Sequence, residues 1–249
     1  MKVGVSMQRY FIEKENIDNH SVFITGEDYH HITKVMRMQK GDNIIACDNL
    51  QSWLCTIDHF TSDTVVATII EKLDEKKELP VQITIAHGIV RREKMEEVID
   101  KITQLGASQY IPITMEYCNA KLNDEKLERK LERMNKIAKE ASEQSHRTRL
   151  LKVHSPLSMD DLIKEKENYD LCLYAYEKID QDQSFKTILQ NQKYQNILVL
   201  IGPEGGISDK EVAKLNQNQF IPISLGPRIL RTEVAPTYIL AAISYELEG

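Results

Sequence analysis

Two hydrophobic rhythms divide the chain. Up to residue 72 the apolar positions come in short or alternating runs: QRYFI (8–12), SVFIT (21–25), NIIACD (43–48), WLCTIDHF (53–60) and TVVATII (64–70). Runs of this kind, separated by turn residues such as Gly26, Gly41 and the Ser62-Asp63 pair, predict β-strands. One helical piece, EDYHHITKVMRM (27–38), interrupts them, so residues 1–72 predict a small β-barrel with one inserted helix. The stretch EKLDEKKELP (71–80) is charged, has little apolar periodicity and ends in Pro80, which predicts a linker.

After Pro80 the rhythm changes. VQITIAHGI (81–89), YIPIT (110–114), YDLCLYAYE (169–177), NILVLIG (196–202) and FIPISLG (220–226) predict strands, and the continuous apolar runs fit strands covered on both faces. Between them the period is helical. RREKMEEVIDKITQLG (91–106) puts Met95, Val98, Ile99, Ile102 and Leu105 on one face, with Gly106 placed to cap the C-terminus. KLERKLERMNKIAKEASEQ (126–144) does the same with Leu127, Leu131, Met134, Ala138 and Ala141. SDKEVAKLN (208–216) opens with a capping box, Ser208 at the N-cap and Glu211 three residues on. EVAPTYILAAISYELE (233–248) predicts a final helix. Strand and helix alternate, so residues 73–249 predict an α/β domain on a parallel sheet.

Composition is ordinary for a globular chain, with 41% hydrophobic and 28% charged residues, enough for a core without disulfide staples. Cys47, Cys55, Cys118 and Cys172 form no C-x-x-C pair and read as small apolar residues in a reducing compartment. No apolar run approaches the ~20 residues of a membrane span, and the N-terminus lacks a signal-peptide apolar core, so a cytoplasmic location is expected. The net charge of -6 argues weakly against a nucleic-acid partner. Locally the balance reverses: residues 126–150 carry eight Lys/Arg against four acids, a surplus that can meet phosphates or form a solvated helix face with pairs such as Glu132–Lys136.

Open α/β sheets bind ligands beyond the carboxyl ends of their strands. Three segments fit: YAYE (174–177), IGPEGGIS (201–208) and SLGPRILRTE (224–233). Taken singly, each also reads as a strand-to-helix turn. Several chemistries lack their residues. No Lys-Ser/Thr follows Gly202 at the spacing of a phosphate-cradling loop, and Gly202, Gly205 and Gly206 do not space as a dinucleotide fingerprint. There is no G-x-S-x-G nucleophile elbow. His30-His31 are adjacent rather than one helical turn apart, so no metal site is expected.

IGPEGGISDKEV followed by SLGPRILRTEVA resembles the signature of the SPOUT, or trefoil-knot, RNA methyltransferases. More narrowly, the chain resembles the ribosomal RNA small subunit methyltransferase E family. Arg9-Tyr10-Phe11 and the block from His30 to Asp42 match that family's N-terminal pattern; REKMEEVIDKITQLGA and EASEQSHR (140–147) match its middle. The likeness covers nearly the whole chain. Two positions depart from it. Val234 stands where the family usually has Thr, removing one possible helix-capping hydroxyl, and Gln104 to Ala107 replace a usual ELGV.

The resemblance implies a PUA-like β-barrel over 1–72 and a SPOUT domain over 73–249 whose C-terminal segment threads a deep trefoil knot. It implies S-adenosylmethionine as methyl donor, N3 of a uridine in 16S ribosomal RNA as acceptor, no metal, and a homodimer with the active site at or near the interface. Carried onto this chain, the cofactor residues are Leu173, Ile201, Gly202, Gly205, Leu225, Gly226, Ile229 and Leu230. Arg231 is the candidate cation favouring the ionised imide, with a salt bridge to Glu204 or Glu233 as the structural alternative. Glu204 or Glu233 would accept the proton or orient Arg231. Arg9, Lys34, Arg37, Arg147 and Arg149 are the expected RNA contacts. A related knot enzyme acting on tRNA, or a non-catalytic RNA-binding assembly protein, are the competing readings.

Overall fold

The computed structural model describes residues 7–120, 122, 127–179, 185–186, 188 and 194–248. It divides into two compact units, Met1–Glu78 with Ser142–Leu150, and Leu79–Ala141 with Leu151–Gly249. Lys126, counted above in the basic stretch, lies outside the described residues.

The first unit holds β1 (Arg9–Phe11), β2 (Ser21–Ile24), α1 (Gly26–His30) continued by a π-helical turn (His31–Val35), β3 (Asn43–Cys47), β4 (Ser52–Phe60) and β5 (Val65–Leu73). They pair in the order β1-β3-β4-β5-β2. β1 runs parallel to β3 and the other pairs are antiparallel. The alternation seen in the sequence becomes inside and outside: Ile44, Ala46, Cys55, Ile57, Val65 and Ala67 are buried, joined by Tyr10, Ile24 and Ile32. Register shifts at Leu54/Cys55 and Ile57/His59 mark irregular pairing of β4 with β5, the kind of feature that bends a strand. The result is a curled sheet around a single core. β5 runs on to Leu73, so the expected linker starts as strand: its charged residues sit on a strand whose end is largely exposed.

Residues 142–150 group with this unit, and one carboxylate of the unit gathers three of them. Glu78 accepts from the Arg147 guanidinium at 2.6 Å, from the Thr148 N–H at 2.8 Å and from the Arg149 N–H at 3.1 Å. Burial alone would raise the Glu78 carboxyl, but Arg147 and the two N–H donors outweigh it and hold it low.

The second unit is a parallel sheet. Its elements are β6 (Gln82–Gly88), α2 (Arg92–Gln104), β7 (Gln109–Thr114), α3 (Leu127–Gln144, which ends in the other unit), β8 (Lys152–Val153), β9 (Leu157–Ser158), α4 (Met159–Lys164), β10 (Leu171–Ala175), β11 (Asn196–Ile201), α5 (Asp209–Gln217), β12 (Ile221–Ile223) and α6 (Ala235–Glu248). The strand order is β12-β10-β11-β6-β7-β8, with β9 also beside β7. Successive strand residues face opposite sides. Ile83, Ile85, Leu173, Val199 and Ile201 pack in one cluster with Met95, Ile99 and Ile102 of α2 and Ile239, Leu240 and Ile243 of α6. Ala86, Cys172, Tyr174, Leu198 and Leu200 pack in the other with Leu162 of α4 and Leu215 of α5. Two covered faces account for the continuous apolar runs. Gly106 sits at φ +87° just past α2, in the conformation that ends a helix and favours glycine. Strand β12 keeps only three of the seven residues expected over 220–226, because the chain leaves the sheet edge after a last bridge at Ser224.

Candidate active site

The strands β10, β11 and β6 run parallel and in register, so their carboxyl ends lie side by side, with β12 ending beside β10. The segments that follow β10, β11 and β12 close around one cavity of about 600 Å³. Ala175 and Tyr176 line it from the first segment, Ile201 to Ile207 from the second, and Ser224 to Glu233 from the third. This is the size range of small-ligand sites.

The second segment is a compact turn. The Gly206 N–H donates to the Pro203 carbonyl at 2.9 Å, and Gly206 takes φ +79°. Ser208 then starts α5 with the predicted capping box: its side chain accepts from the Glu211 N–H, and the Glu211 carboxylate accepts from the Ser208 N–H. The glycines are needed for packing. A Cβ on Gly202 would lie 2.9 Å from Ile207 Cγ1, and one on Gly205 would lie 2.7 Å from Tyr117 Cβ. At Gly88, the last residue of β6, a Cβ would stand 2.5 Å from both the nitrogen and Cδ of Pro203.

The third segment leaves β12 at the sheet edge and reaches β6. There the Thr232 hydroxyl donates to the Gly202 carbonyl at 2.6 Å. The same oxygen lies 2.8 Å from His87 Nε2, and His87 Nδ1 lies 3.1 Å from the Tyr110 hydroxyl. His87 is fully buried, which pushes its pKa down to about 4 and keeps the ring neutral.

At the cavity mouth Lys94, from the first turn of α2, reaches two carboxylates. Its Nζ lies 3.1 Å from Glu233 Oε2 and 3.5 Å from Glu204 Oε1. Burial acts to raise the Glu233 carboxyl, but its own backbone N–H, Lys94 and Arg231 outweigh it and hold it low. The hydrogen bond to Glu233, and then the field of the two carboxylates, raise Lys94. Arg231 is exposed on the lining, and among the described residues it forms no ion pair with Glu204 or Glu233. Lys94 fills the role expected of Arg231 as their partner.

Ile201, Gly202, Glu204, Gly205, Leu225, Gly226, Ile229, Leu230, Arg231 and Glu233 thus come together on one cavity. Ile229 is 84% exposed, so its side chain is not enclosed there. Leu173 does not join them. It sits mid-strand in β10, fully buried against α2 and α6, because the side chain of that position faces the sheet's interior layer. Tyr176, beyond the end of that strand, lines the cavity in its place.

Two of the expected RNA-binding cations are committed elsewhere. Arg9 is buried; it donates to both Glu75 oxygens at 2.8 Å, and to Cys47 Sγ, Ser52 Oγ and the Arg147 carbonyl. Arg147 is buried on Glu78. Each is a structural cation of the first unit, and neither presents its guanidinium to a phosphate. Lys34, Arg37 and Arg149 are exposed. Sequence reasoning passed over Lys94, His87, Thr232 and Gly88. Lys94 was one charge among several in REKMEE, and His87 lay inside a strand read as apolar; only the fold brings them to the segments beyond β11 and β12. Among the described residues no group of three or more His, Cys, Asp and Glu is placed to hold a metal ion, and no helix is long and apolar enough to cross a membrane.

A family model described as an RNA methyltransferase domain matches residues 77–244, and one described as an RNA methyltransferase PUA domain matches residues 24–70. The Bacillus subtilis protein named ribosomal RNA small subunit methyltransferase E is 41% identical, over 97% of this chain and 98% of its own. The chain belongs to the ribosomal RNA small subunit methyltransferase E family. The fold agrees. A crystal structure of a protein described as hypothetical superposes at TM-score 0.89, with 41% identity over 97% of this chain and 99% of that one. A Legionella pneumophila protein solved in complex with the bound cofactor S-adenosylmethionine superposes at 0.86, with 27% identity over 97% and 98%. Family membership accounts for a PUA-type unit preceding the parallel sheet.

Proposed function

We infer that this protein is an S-adenosylmethionine-dependent methyltransferase of 16S ribosomal RNA, acting on N3 of a uridine. The observation that carries this is the convergence of the three segments beyond β10, β11 and β12 on one cavity, in a family with a relative solved with that cofactor bound. The residues suit such a ligand. Ile201, Leu225 and Leu230 offer apolar walls for a purine ring, while main-chain groups of the glycine segments offer hydrogen bonds to its edge. The crowding at Gly202 and Gly205 keeps these segments in one shape.

The cofactor supplies a methyl group on a sulfonium. The chain's own residues hold the acceptor in line with it, which contributes several kcal/mol by placement alone, and handle one proton. The uridine imide loses its N3 proton, the N3 electron pair forms the new bond to carbon, and the carbon–sulfur bond breaks with its pair on sulfur. Arg231, exposed on the lining, favours the imide anion electrostatically. Glu233 and Glu204 are the available proton acceptors, with Lys94 Nζ 3.1 Å from Glu233 Oε2 and 3.5 Å from Glu204 Oε1.

Lys34, Arg37 and Arg149 are the cations for RNA phosphates. Across β12 to α6 the chain passes from the sheet edge to β6, a path that supports the trefoil knot implied by the resemblance. On α6 and its approach, Val234, Tyr238, Ala241 and Tyr245 are exposed at helical spacing, an apolar stripe that suits a homodimer contact. Action on ribosomal RNA supports a cytoplasmic location.

Calorimetry with S-adenosylmethionine, then methylation of 16S RNA from a strain lacking the activity with nucleoside mass spectrometry, tests the reading. The expected product is 3-methyluridine. Absence of binding by the folded protein overturns the cavity assignment; a methyl group on another base or atom overturns the uridine N3 assignment.

A further inference from the structure

We propose that His87 is a positioning residue for the cofactor segments, fixing through Thr232 the mutual placement of the two walls of the cavity. The inference rests on the cavity being the cofactor site. His87 itself does not line the cavity, so its action is indirect.

The hydrogen-bond inventory leaves one arrangement. The Thr232 hydroxyl has a single proton, and the Gly202 carbonyl beside it can only accept. That proton therefore goes to Gly202. The remaining contact of the Thr232 oxygen, to His87 Nε2 at 2.8 Å, must then be one in which Nε2–H donates. A neutral imidazole protonated at Nε2 has an acceptor at Nδ1, so the Tyr110 hydroxyl donates to it at 3.1 Å. The chain runs one way, from Tyr110 through His87 and Thr232 to Gly202. It ties β7 and β6 to the turn after β11 and to the segment after β12. Every member is buried except the Gly202 carbonyl end, which is half-buried.

This arrangement has a functional consequence because Gly202 and Thr232 both line the cavity while His87 and Tyr110 anchor them to the sheet. A Thr232 hydroxyl with no donor beside it can rotate away from Gly202 and release the two walls from each other. The ionisable groups acting on His87 are Tyr110 from β7 and Glu233 from the segment before α6.

The test uses the full-length protein and S-adenosylmethionine as probe. Ring-nitrogen NMR on histidine-labelled protein, with His87 assigned from its loss in His87→Gln, should show Nε2 protonated and Nδ1 bare near neutral pH. Calorimetry should show His87→Leu binding the cofactor about tenfold more weakly, as expected for a buried donor left unmatched. KM for the cofactor should rise while kcat changes by less than about twofold. His87→Gln, which can donate to Thr232 and accept from Tyr110, should restore affinity to within about threefold. Tyr110→Phe serves as the milder variant if His87→Leu does not fold, and should weaken binding in the same direction. Protonation at Nδ1, or wild-type affinity in a folded His87→Leu or Tyr110→Phe protein, overturns the proposal while leaving the cavity assignment intact. Failure of the wild-type protein to bind overturns the cavity assignment itself and the proposal with it.

Discussion

Replacing Gly88 with alanine should loosen the candidate active site although Gly88 is not itself a lining residue. Gly88 ends β6, and its φ is not positive, so backbone conformation does not demand glycine there. Space does. The added methyl would stand 2.5 Å from both the nitrogen and Cδ of Pro203 and 3.1 Å from the Gly202 carbonyl carbon, where ordinary contact begins at 3.4 Å. The turn after β11 must retreat by roughly 1 Å, and it cannot do so by a side-chain rotation: the clash is with backbone and with a proline ring whose φ is locked. Overpacking of this kind costs about 1–3 kcal/mol. For a chain of this size that is a fall in Tm of roughly 2–12 °C, at about 2–4 °C per kcal/mol. Because the displaced residues are Gly202 and Pro203 on the cavity wall, turnover should fall by up to the order of 100-fold, the scale seen for 1 Å misplacement. Differential scanning calorimetry, cofactor titration and a methylation assay read the three effects. A Gly88→Ala protein with Tm within about 1 °C of wild type and unchanged cofactor affinity would refute the reasoning.

Acid should weaken the fold through His87. Burial lowers its pKa to about 4 from the ordinary histidine value of 6.5, so its contribution is fully present above pH 6.5 and is lost as pH falls towards 4, where the unfolded chain takes up a proton that the native one refuses. Urea unfolding should show wild type losing about 2–3 kcal/mol more than His87→Gln between pH 7 and pH 4.5, at about 1.4 kcal/mol per pH unit; parallel losses would contradict it. Arg147→Ala should behave as a stability mutant, losing about 3–5 kcal/mol because the Glu78 carboxylate is left without its guanidinium, with the salt dependence of RNA binding unchanged. Arg149→Ala should lower that salt slope by about 1 with little loss of stability, and the reverse pattern in the pair would undo the distinction drawn between them.

Much of this was legible along the chain. The alternating runs before residue 72 became the curled sheet, and the continuous runs after Pro80 became strands buried on both faces. Ser208 and Glu211 formed the capping box their spacing predicts, and Gly106 ended α2. These features are local: they depend on residues within a few positions of one another. What was missed is non-local. Arg9 and Arg147 looked like RNA contacts because a cation in a sequence shows no partner, and their partners Glu75 and Glu78 lie 66 and 69 residues away. Leu173 was assigned to the cofactor site through the family resemblance; it lies mid-strand in β10 against α2 and α6, and apolar character alone does not show which way a strand residue faces.

The sequence by itself determined the periodicity, the caps, the glycine-rich segments and, through four separated motifs, the family. Only the tertiary structure decided that Lys94 holds Glu204 and Glu233, that Gly88 must have no side chain, and that His87 stands under Thr232. The physical reason is the parallel sheet. It lays the carboxyl ends of β6, β10, β11 and β12 along one edge, so residues up to 145 positions apart come within hydrogen-bonding distance.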